Sequence, residues 1–259
     1  ITKAQFEGML EKVKYHNASE HPTTGNRTVA WTINDGDADD SSSQTSTITV
    51  GDQNDVPTLV LASQTPGFVE VAGDSSVTTN KVVINSNITL DDPDGTDPVE
   101  AVVTITNAKA GDTLIFDPDG NNVEIKGQVT TTTSPDTVVL TLDAKSGKAP
   151  TVADFKAALE SVAFNNTSET PDTTDRKIEF EIKDADATYS TVTAAETEVL
   201  TVTATNDTPE ATNDTGAVDE DGTLPVDDPA DGVIQAATAD SDLDGDSLSI
   251  QAIRTGAED

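Results

Sequence analysis

Short stretches in which apolar and polar residues alternate recur along most of the chain, and they are rich in Val, Ile and Thr. Segments rich in Asp, Gly, Pro and Asn separate them. This alternation is typical of strands with one buried face, and many short strands between turns predict an all-β fold of sandwich type. We predict strands at Arg27–Ile33, Ser46–Val50, Thr58–Ala62, Lys81–Leu90, Ala101–Thr106, Thr137–Leu142, Lys177–Ile182 and Glu198–Thr205.

An internal repeat underlies this pattern. When the sequence is shifted by 149 residues, 15 of the 36 positions from Thr2 to Asp37 are identical. The segment "TKAQFEGMLEKVKYHNASEHPTTGNR" then falls on "TVADFKAALESVAFNNTSETPDTTDR". A period of this length corresponds to one whole domain.

Each copy of the repeat opens with a predicted short helix, so the fold is all-β with one short helix in each full unit. Thr2 with Gln5, and Thr151 with Asp154, have the spacing of a capping box or a near relative of one. We expect the apolar stripe that follows to pack into the core rather than to bind a ligand. In the second copy this stripe consists of Phe155, Leu159 and Val162.

The repeat also predicts the boundaries of three units. Residues 1–56 are the C-terminal half of one unit, residues 57–208 a complete unit, and residues 209–259 the N-terminal part of a third. We call them the leading half-unit, the complete unit and the trailing segment. Both ends of the chain fall inside a unit, so we expect it to be a segment of a longer protein.

Acidic and amide side chains concentrate at the two joints between these units, where "NDVP" and "NDTP" occur. Pro57 and Pro209 fix the backbone of each joint and favour extended geometry before it. Further acidic clusters follow the strand "NITL" and its counterpart near residue 240, and the strands "WTI" and "FEI". We expect each joint and its neighbouring loops to converge on shared ions that stiffen the joint.

The overall charge agrees with this expectation. The chain has 14 Lys and Arg against 48 Asp and Glu, a formal charge of −34, and it contains no Cys. Nucleic acid is therefore an improbable partner, because phosphate binding needs a basic face. Direct membrane insertion is not expected, because no apolar run approaches the ~20 residues of a membrane span. Without disulfides, divalent cations are the obvious stabilising ligand.

Calcium is the cation that this chemistry favours. It takes six to eight oxygens with flexible geometry, whereas magnesium requires a stricter octahedron and zinc prefers His or Cys. The candidate ligands are Asp35, Asp37, Asp52, Asn54, Asp55, Glu70, Asp91, Asp92, Asp94, Asp184, Asp186, Asn206, Asp207, Asp242, Asp244 and Asp246. Asp and Asn also form turns without any ion, and this alternative stays open for each residue. An EF-hand is not expected at "DLDGD", because the Glu at loop position 12 is missing.

The motifs resemble a known family. The segment "NDTPEATNDTGAVDEDGTLPVDDPADGVIQAATADSDLDGDSLSIQAIRTGAED" closely resembles the VCBS-type, cadherin-like repeats of giant bacterial surface adhesins of the RTX type. The segment "FKAALESVAFNNTSETPDTTDRKIEFEIKDAD" resembles the recurring back half of related domains. "NDVP" and "NDTP" resemble the linkers between such domains.

This resemblance implies tandem Ig-like or cadherin-like β-sandwiches with calcium at their junctions. It also implies type I secretion to the cell surface, where such domains space a distal binding module away from the cell. We therefore expect a calcium-stabilised extender segment of an adhesin that acts in cell adhesion or biofilm formation. Its expected partners are calcium ions and the neighbouring repeats of the same chain.

Three other functions compete with the extender: an enzyme, a ligand-binding module and a eukaryotic extracellular matrix repeat, in which the sequons at Asn17 and Asn26 would carry glycans. An enzyme is not expected, because neither a nucleophile motif nor a phosphate-binding glycine loop is present, and His16 and His21 align with Asn165 and Thr170 in the repeat.

The alternative is a ligand-binding module of the adhesin that recognises a sugar or peptide. Sugar sites usually offer exposed aromatic side chains, whereas we expect Trp31 and Tyr15 to lie in a core. For Arg27 and Arg176 we expect an ion pair or a capping role. The two incomplete units also leave open sheet edges, so residues 1–56 and residues 209–259 of a neighbouring molecule could complete each other.

Overall fold

A computed structural model of the protein describes residues 2–33, 44–55, 57–73, 80–116, 124–133, 136–184, 193–212, 217, 219–222 and 240–249. Within these residues the chain consists mostly of strands in sheets with two helices, which confirms the all-β prediction. The helices are α1 (Lys3–Leu10) and α2 (Val152–Glu160). The strands are β1 (Gly25–Trp31), β2 (Gln44–Val50), β3 (Thr58–Leu61), β4 (Gly67–Val69), β5 (Val82–Val83), β6 (Ile88–Asp91), β7 (Glu100–Ile105), β8 (Asp112–Ile115), β9 (Ile125–Thr133), β10 (Asp136–Ala144), β11 (Ala163–Asn166), β12 (Arg176–Lys183) and β13 (Thr193–Thr203).

Residues 57–203 form three sheets around one hydrophobic core. A six-stranded sheet has the order β4-β13-β12-β7-β10-β9, a three-stranded sheet the order β5-β11-β8, and β3 pairs with β6. Strand β12 is central, because it pairs with β13 on one side and with β7 on the other, in antiparallel register. Side chains from all three sheets and from α2 form one cluster of buried residues.

The alternating pattern explains which side chains enter this core. Successive residues of a strand point to opposite faces, so every second residue of β12 is directed inward. Ile178, Phe180 and Ile182 are completely buried, and the residues between them are exposed or half-buried. Strand β7 shows the same alternation from Ala101 to Ile105.

Both predicted capping boxes are present. Thr2 and Gln5 cap α1, and Thr151 and Asp154 cap α2, each through reciprocal side-chain and backbone hydrogen bonds. The helices differ in burial: α2 buries Phe155, Ala158 and Leu159, whereas α1 buries no residue. The prediction of a core-facing stripe is thus correct for α2 and wrong for α1.

The aromatic residues of the leading half-unit also differ from the prediction of a core position. Tyr15 is 44% exposed and Trp31 is only half-buried, and the Trp31 indole N–H donates to Ser46 Oγ at 2.9 Å. Among the described residues, β1 pairs with β2 alone, in an antiparallel ribbon. A two-stranded ribbon with one short helix cannot enclose these rings.

The predicted strand Lys81–Leu90 is interrupted. It forms β5 and β6, which belong to different sheets, and Asn85 lies between them. The buried Asn85 side chain donates to the Ala62 carbonyl at 2.9 Å and accepts from the Asn87 N–H at 3.1 Å. These side-chain bonds replace ladder hydrogen bonds and turn the chain from one sheet to the other. The prediction also missed β4, β8, β9 and β11.

Candidate metal sites at the two joints

The first joint, residues 52–57, is tied to the loop at residues 91–97, which we call the front loop. The Asp55 backbone N–H donates to Asp94 Oδ2. The Asn54 side-chain amide donates to the Asp55 carbonyl at 3.1 Å. The joint and the front loop, which lie about 40 residues apart in sequence, therefore meet through Asp94.

The front loop folds around Asp92. Its Oδ1 accepts from the Asp94 N–H at 3.0 Å, and its carbonyl accepts from the Gly95 N–H at 3.0 Å. Gly95 has a φ of 68°, a left-handed conformation that favours glycine. Asp92 and Asp94 are 6% and 2% exposed, and Asp94 Oδ1 is buried with no hydrogen-bond partner among the described residues.

A third carboxylate reaches this loop from the end of β12. The Thr96 hydroxyl lies 3.1 Å from Asp184 Oδ1 and 3.4 Å from Asp92 Oδ2. Burial raises the pKa of Asp92, the nearby charges of Asp184 and Asp94 add to this rise, and the hydrogen bond from the Asp94 N–H opposes it. Desolvation likewise raises the pKa of Asp55, with contributions from Asp94 and Glu20. Negative charge is therefore crowded at the first joint.

The second joint, residues 204–209, repeats this geometry with the trailing segment. The Asp207 N–H donates to Asp244 Oδ2 at 2.5 Å, and the Asn206 amide donates to the Asp207 carbonyl at 2.5 Å. Asp242 Oδ1 accepts from the Asp244 N–H at 3.0 Å, and Gly245 has a φ of 76°. Each contact has its counterpart at the first joint. The recurrence of the whole pattern argues that it is a built feature of the repeat.

Glu70 adds a buried carboxylate to the second joint. It follows β4 and is 3% exposed, and its Oε2 accepts from the Thr205 N–H at 2.8 Å. Its Oε1 has no hydrogen-bond partner within the part of the chain that the structure describes. Oxygens of Glu70, Glu169 and Asp207 lie within 4.8 Å of one another. Burial raises the pKa of Glu70, the Thr205 hydrogen bond opposes the rise, and the charges of Asp207, Glu169 and Asp244 add to it.

A second acidic group lies near the Glu70 group, and all its members belong to the trailing segment. Oxygens of Asp242, Asp244 and Asp246 also lie within 4.8 Å of one another. Asp242 Oδ1 accepts the backbone N–H groups of Asp244 and Asp246, at 3.0 and 3.3 Å. Asp242 therefore has a turn-forming role of its own, and this group is a weaker indication of an ion than the buried one.

The predicted ligands divide into those that meet at a joint and those that do not. Asp91 ends β6 with its side chain exposed. Asp52 begins the first joint and its charge contributes to the raised pKa of Asp55, but its side chain lies 2.9 Å from His21 Nδ1. Asp35, Asp37 and Asp186 lie outside the described residues. The residues that meet at the joints are Asn54, Asp55, Asp92, Asp94 and Asp184 at the first, and Glu70, Asn206, Asp207, Asp242, Asp244 and Asp246 at the second.

The sequence prediction missed Glu169 and its repeat counterpart Glu20. Glu169 belongs to the Glu70 group, and Glu20 contributes to the raised pKa of Asp55. The signal was available, because the two residues are aligned and identical in the repeat. They lie in a polar loop far from the joint in sequence, so only the tertiary structure connects them to it.

The donor chemistry of both joints fits a hard divalent cation. The converging groups are carboxylates and amides, the ligands that calcium prefers. A buried, ionised carboxylate oxygen without a hydrogen bond is costly unless a cation or proton compensates it. Among the described residues, Asp94, Glu70 and Asp207 each have a buried carboxylate oxygen without a hydrogen-bond partner.

In comparisons with known proteins, no family model and no curated protein matches the chain. Among the described residues, no helix is long and apolar enough to cross a membrane.

Proposed function

We propose that this chain is a calcium-stiffened extender segment of a large secreted bacterial adhesin. The observation that carries the proposal is the equivalence of the two joints. Both tie the backbone of an Asn-Asp motif to an aspartate of the acidic loop that follows in sequence, Asp94 at the first joint and Asp244 at the second. Both also contain a buried carboxylate oxygen without a hydrogen-bond partner among the described residues. The same set of contacts recurs at the same position of the repeat, and this recurrence supports a role in fixing one unit relative to the next.

At the first joint, Asp55, Asp92, Asp94 and Asp184 would hold the ion. At the second, Glu70, Glu169, Asp207 and Asp244 would hold it. Bound calcium supplies positive charge that neutralises these carboxylates and links the two units. Without bound calcium, the negatively charged carboxylates at a joint repel one another, and this repulsion favours opening of the joint.

The cell-surface location, the tandem β-sandwich architecture and the role as a spacer rest on the resemblance to adhesin repeats described above. The alternating strands and the recurrent joints agree with that resemblance. The alternative, a sugar- or peptide-binding module, has no specific observation in its favour among the described residues of the complete unit.

Thermal unfolding of the 259-residue chain with calcium, with magnesium and with a chelator tests the proposal. Linkage predicts that each site adds about 2.7 kcal/mol at a hundredfold excess of calcium over Kd. We expect a large rise in Tm with calcium and a small one with magnesium. Small-angle scattering of the same samples should show a narrower distribution of lengths with calcium.

Three variants make the test specific. Glu70→Gln and Asp94→Asn should each reduce the calcium-induced rise in Tm without lowering the Tm of the chelator-treated protein, because each removes an uncompensated buried charge. Asp91→Asn is the matched control, since this exposed aspartate is the first residue of the front loop, at the end of β6, but contacts neither joint among the described residues. An equal calcium response in all three variants, or none in the parent, would reject the joints as calcium sites.

A further inference from the structure

The leading half-unit exposes a face that the complete unit buries. Val13 and Tyr15 are 59% and 44% exposed, whereas their repeat counterparts Val162 and Phe164 are completely buried. Trp31 is half-buried, and its counterpart Phe180 is completely buried. An open groove of about 380 Å³ lies between the end of α1 and the end of β1. It is lined by Leu10, Glu11, Trp31, Thr32 and Ile33.

In the complete unit, a single connected segment covers much of the equivalent face. Strand β7 pairs with the edge of β12 that lies opposite β13, and β8 pairs with β11. These two strands are consecutive in the chain and belong to different sheets, so residues 100–115 form an arch. Among the described residues, no strand occupies the corresponding edge of β1.

The arch also delivers one carboxylate to a buried arginine. Arg176 and Asp112 both have fully buried side chains, and Arg176 Nε donates to Asp112 Oδ2 at 2.6 Å. The Asn166 side-chain amide donates to Asp112 Oδ1 at 2.7 Å. Arg176 Nη2 also donates to the Asp172 carbonyl at 2.9 Å, and Nη1 donates to the Thr174 carbonyl.

The leading half-unit already has the arginine side of this arrangement. Arg27 Nη2 donates to the Thr23 carbonyl at 2.5 Å and Nη1 to the Gly25 carbonyl at 3.4 Å, the same two relative positions that Arg176 uses. Asn17 accepts from the Ser19 N–H at 3.0 Å, as Asn166 accepts from its counterpart. Within the described part of the chain, no carboxylate forms an ion pair with Arg27. Its guanidinium is thus held in place without the anion that its counterpart binds.

We infer that the leading half-unit is a docking surface for an extended polypeptide arch that has the chemistry of residues 99–116. The occupant has two short strands of alternating aliphatic residues and one aspartate placed to reach Arg27. The first strand adds to the free edge of β1, which is β-strand addition, and its aliphatic side chains cover the exposed apolar face. The carboxylate completes a charge-assisted, bidentate contact. This inference is independent of calcium and of the proposed extender function.

The test measures binding of a labelled peptide of residues 99–116, VEAVVTITNAKAGDTLIF, to the 259-residue chain by fluorescence anisotropy. Trp31 is the only Trp in the chain, so its emission reports directly on the docking face. We expect saturable 1:1 binding and a blue shift of Trp31 emission, both in chelator and in calcium. A scrambled peptide of the same composition should produce neither.

Variants identify the carboxylate contact. Hydrogen bonds between charged groups contribute about 1.5–3 kcal/mol, so Arg27→Gln in the chain should raise Kd by about tenfold or more. Asp112→Asn in the peptide should have the same effect, and combining the two changes should add little, as expected for one shared contact. Lys12→Gln, which removes an exposed cation of the same half-unit, should leave Kd unchanged.

Three results would overturn the inference. The first is the absence of saturable binding with unchanged Trp31 emission. The second is equal Kd for the parent, Arg27→Gln and the Asp112→Asn peptide, which would mean nonspecific apolar adhesion. The third is concentration-dependent dimerisation without peptide in which Trp31 is already buried, because a second copy would then be the occupant of the face.

Discussion

The leading half-unit and the back half of the complete unit show how far the same sequence pattern determines structure in two different surroundings. Both form a capped helix followed by a strand. In both, an arginine donates to the backbone carbonyls of the residues two and four positions before it. They differ in burial: Leu159 is completely buried, whereas Leu10 is half-buried. Hydrogen bonds within about five residues form in either context, but burial requires the sheet supplied by residues 57–144.

The largest expected difference concerns the two arginines. Arg176→Gln removes one partner of a buried ion pair and leaves Asp112 without a compensating charge, which typically costs about 3–5 kcal/mol. Arg27→Gln removes no ion pair among the described residues and should cost less than about 1 kcal/mol. Urea unfolding followed by far-ultraviolet circular dichroism measures both. Similar losses for the two variants would mean that the arginines stabilise through their carbonyl contacts alone.

Truncating the helix stripe tests the difference in burial directly. Leu159→Ala should lower the free energy of unfolding by about 2–5 kcal/mol, because it removes a completely buried side chain from a packed core. Leu10→Ala should have a clearly smaller effect, since its side chain is already partly solvated. Urea unfolding compares the free energies of unfolding of the two variants, provided that the dependence of this free energy on urea concentration is the same in both. A loss at Leu10 as large as that at Leu159 would show that the half-unit has a covered core in solution.

The pH dependence of stability tests the buried carboxylates at the two ends of the complete unit. Glu70 and Asp92 have pKa values raised in the folded protein, so the folded state binds more protons than the unfolded state as the pH falls toward the ordinary carboxyl range. In chelator, their contribution to stability is therefore present at acid pH and is lost as the pH rises through the raised pKa values. Tm in chelator should consequently increase as the pH falls from 7 toward the ordinary carboxyl values, 4.5 for Glu70 and 3.8 for Asp92.

Glu70→Gln should make this pH profile flatter, because the variant cannot titrate at that position. Asp172 should show the opposite dependence of stability on pH, because hydrogen bonds from Thr174 lower its pKa. Its contribution to the free energy of unfolding is present above its ordinary pKa of 3.8 and is lost as the pH falls below that value. A Tm in chelator that decreases steadily as the pH falls from 7 toward 4.5 would contradict the assignment of uncompensated carboxylates at the joints.

Much of the fold could be predicted from the sequence, because strand alternation and capping boxes are local signals. Long-range contacts could not be predicted in this way. Asp112, which pairs with Arg176, lies 64 residues away and belongs to a strand that the alternation did not reveal. Asn85 breaks a continuous apolar run, since its side chain finds partners in two distant segments, the Ala62 carbonyl and Glu198.

The candidate sites show the same limit. The Asn-Asp motifs and front loops are visible as recurrent acidic sequence, and the structure brings Asp55 to Asp94 and Asp207 to Asp244. Glu169 reaches the second joint from a loop that no local pattern connects to it. Asp52 belongs to the joint sequence and Asp91 to the acidic cluster after "NITL", so the sequence predicts both as ligands. The exposure of Asp91 at the end of β6 and the proximity of Asp52 to His21 depend on tertiary structure, which the sequence pattern does not contain.

Loss of the helix N-cap should have the smallest effect on stability, and this effect should be nearly equal in α1 and α2. Equal effects would show that the cap forms independently of burial. Thr2→Ala and Thr151→Ala each remove a side chain that accepts from the backbone of the third helical residue, which typically costs about 1 kcal/mol. Because the capping box is formed by residues within three positions of each other, its local geometry does not depend on the missing sheet. Amide hydrogen exchange at Gln5 and Asp154 measures the loss at each helix start. Faster exchange at Asp154 with no change at Gln5 would show that the α1 cap depends on a covered face, so that even this local element requires the docking partner.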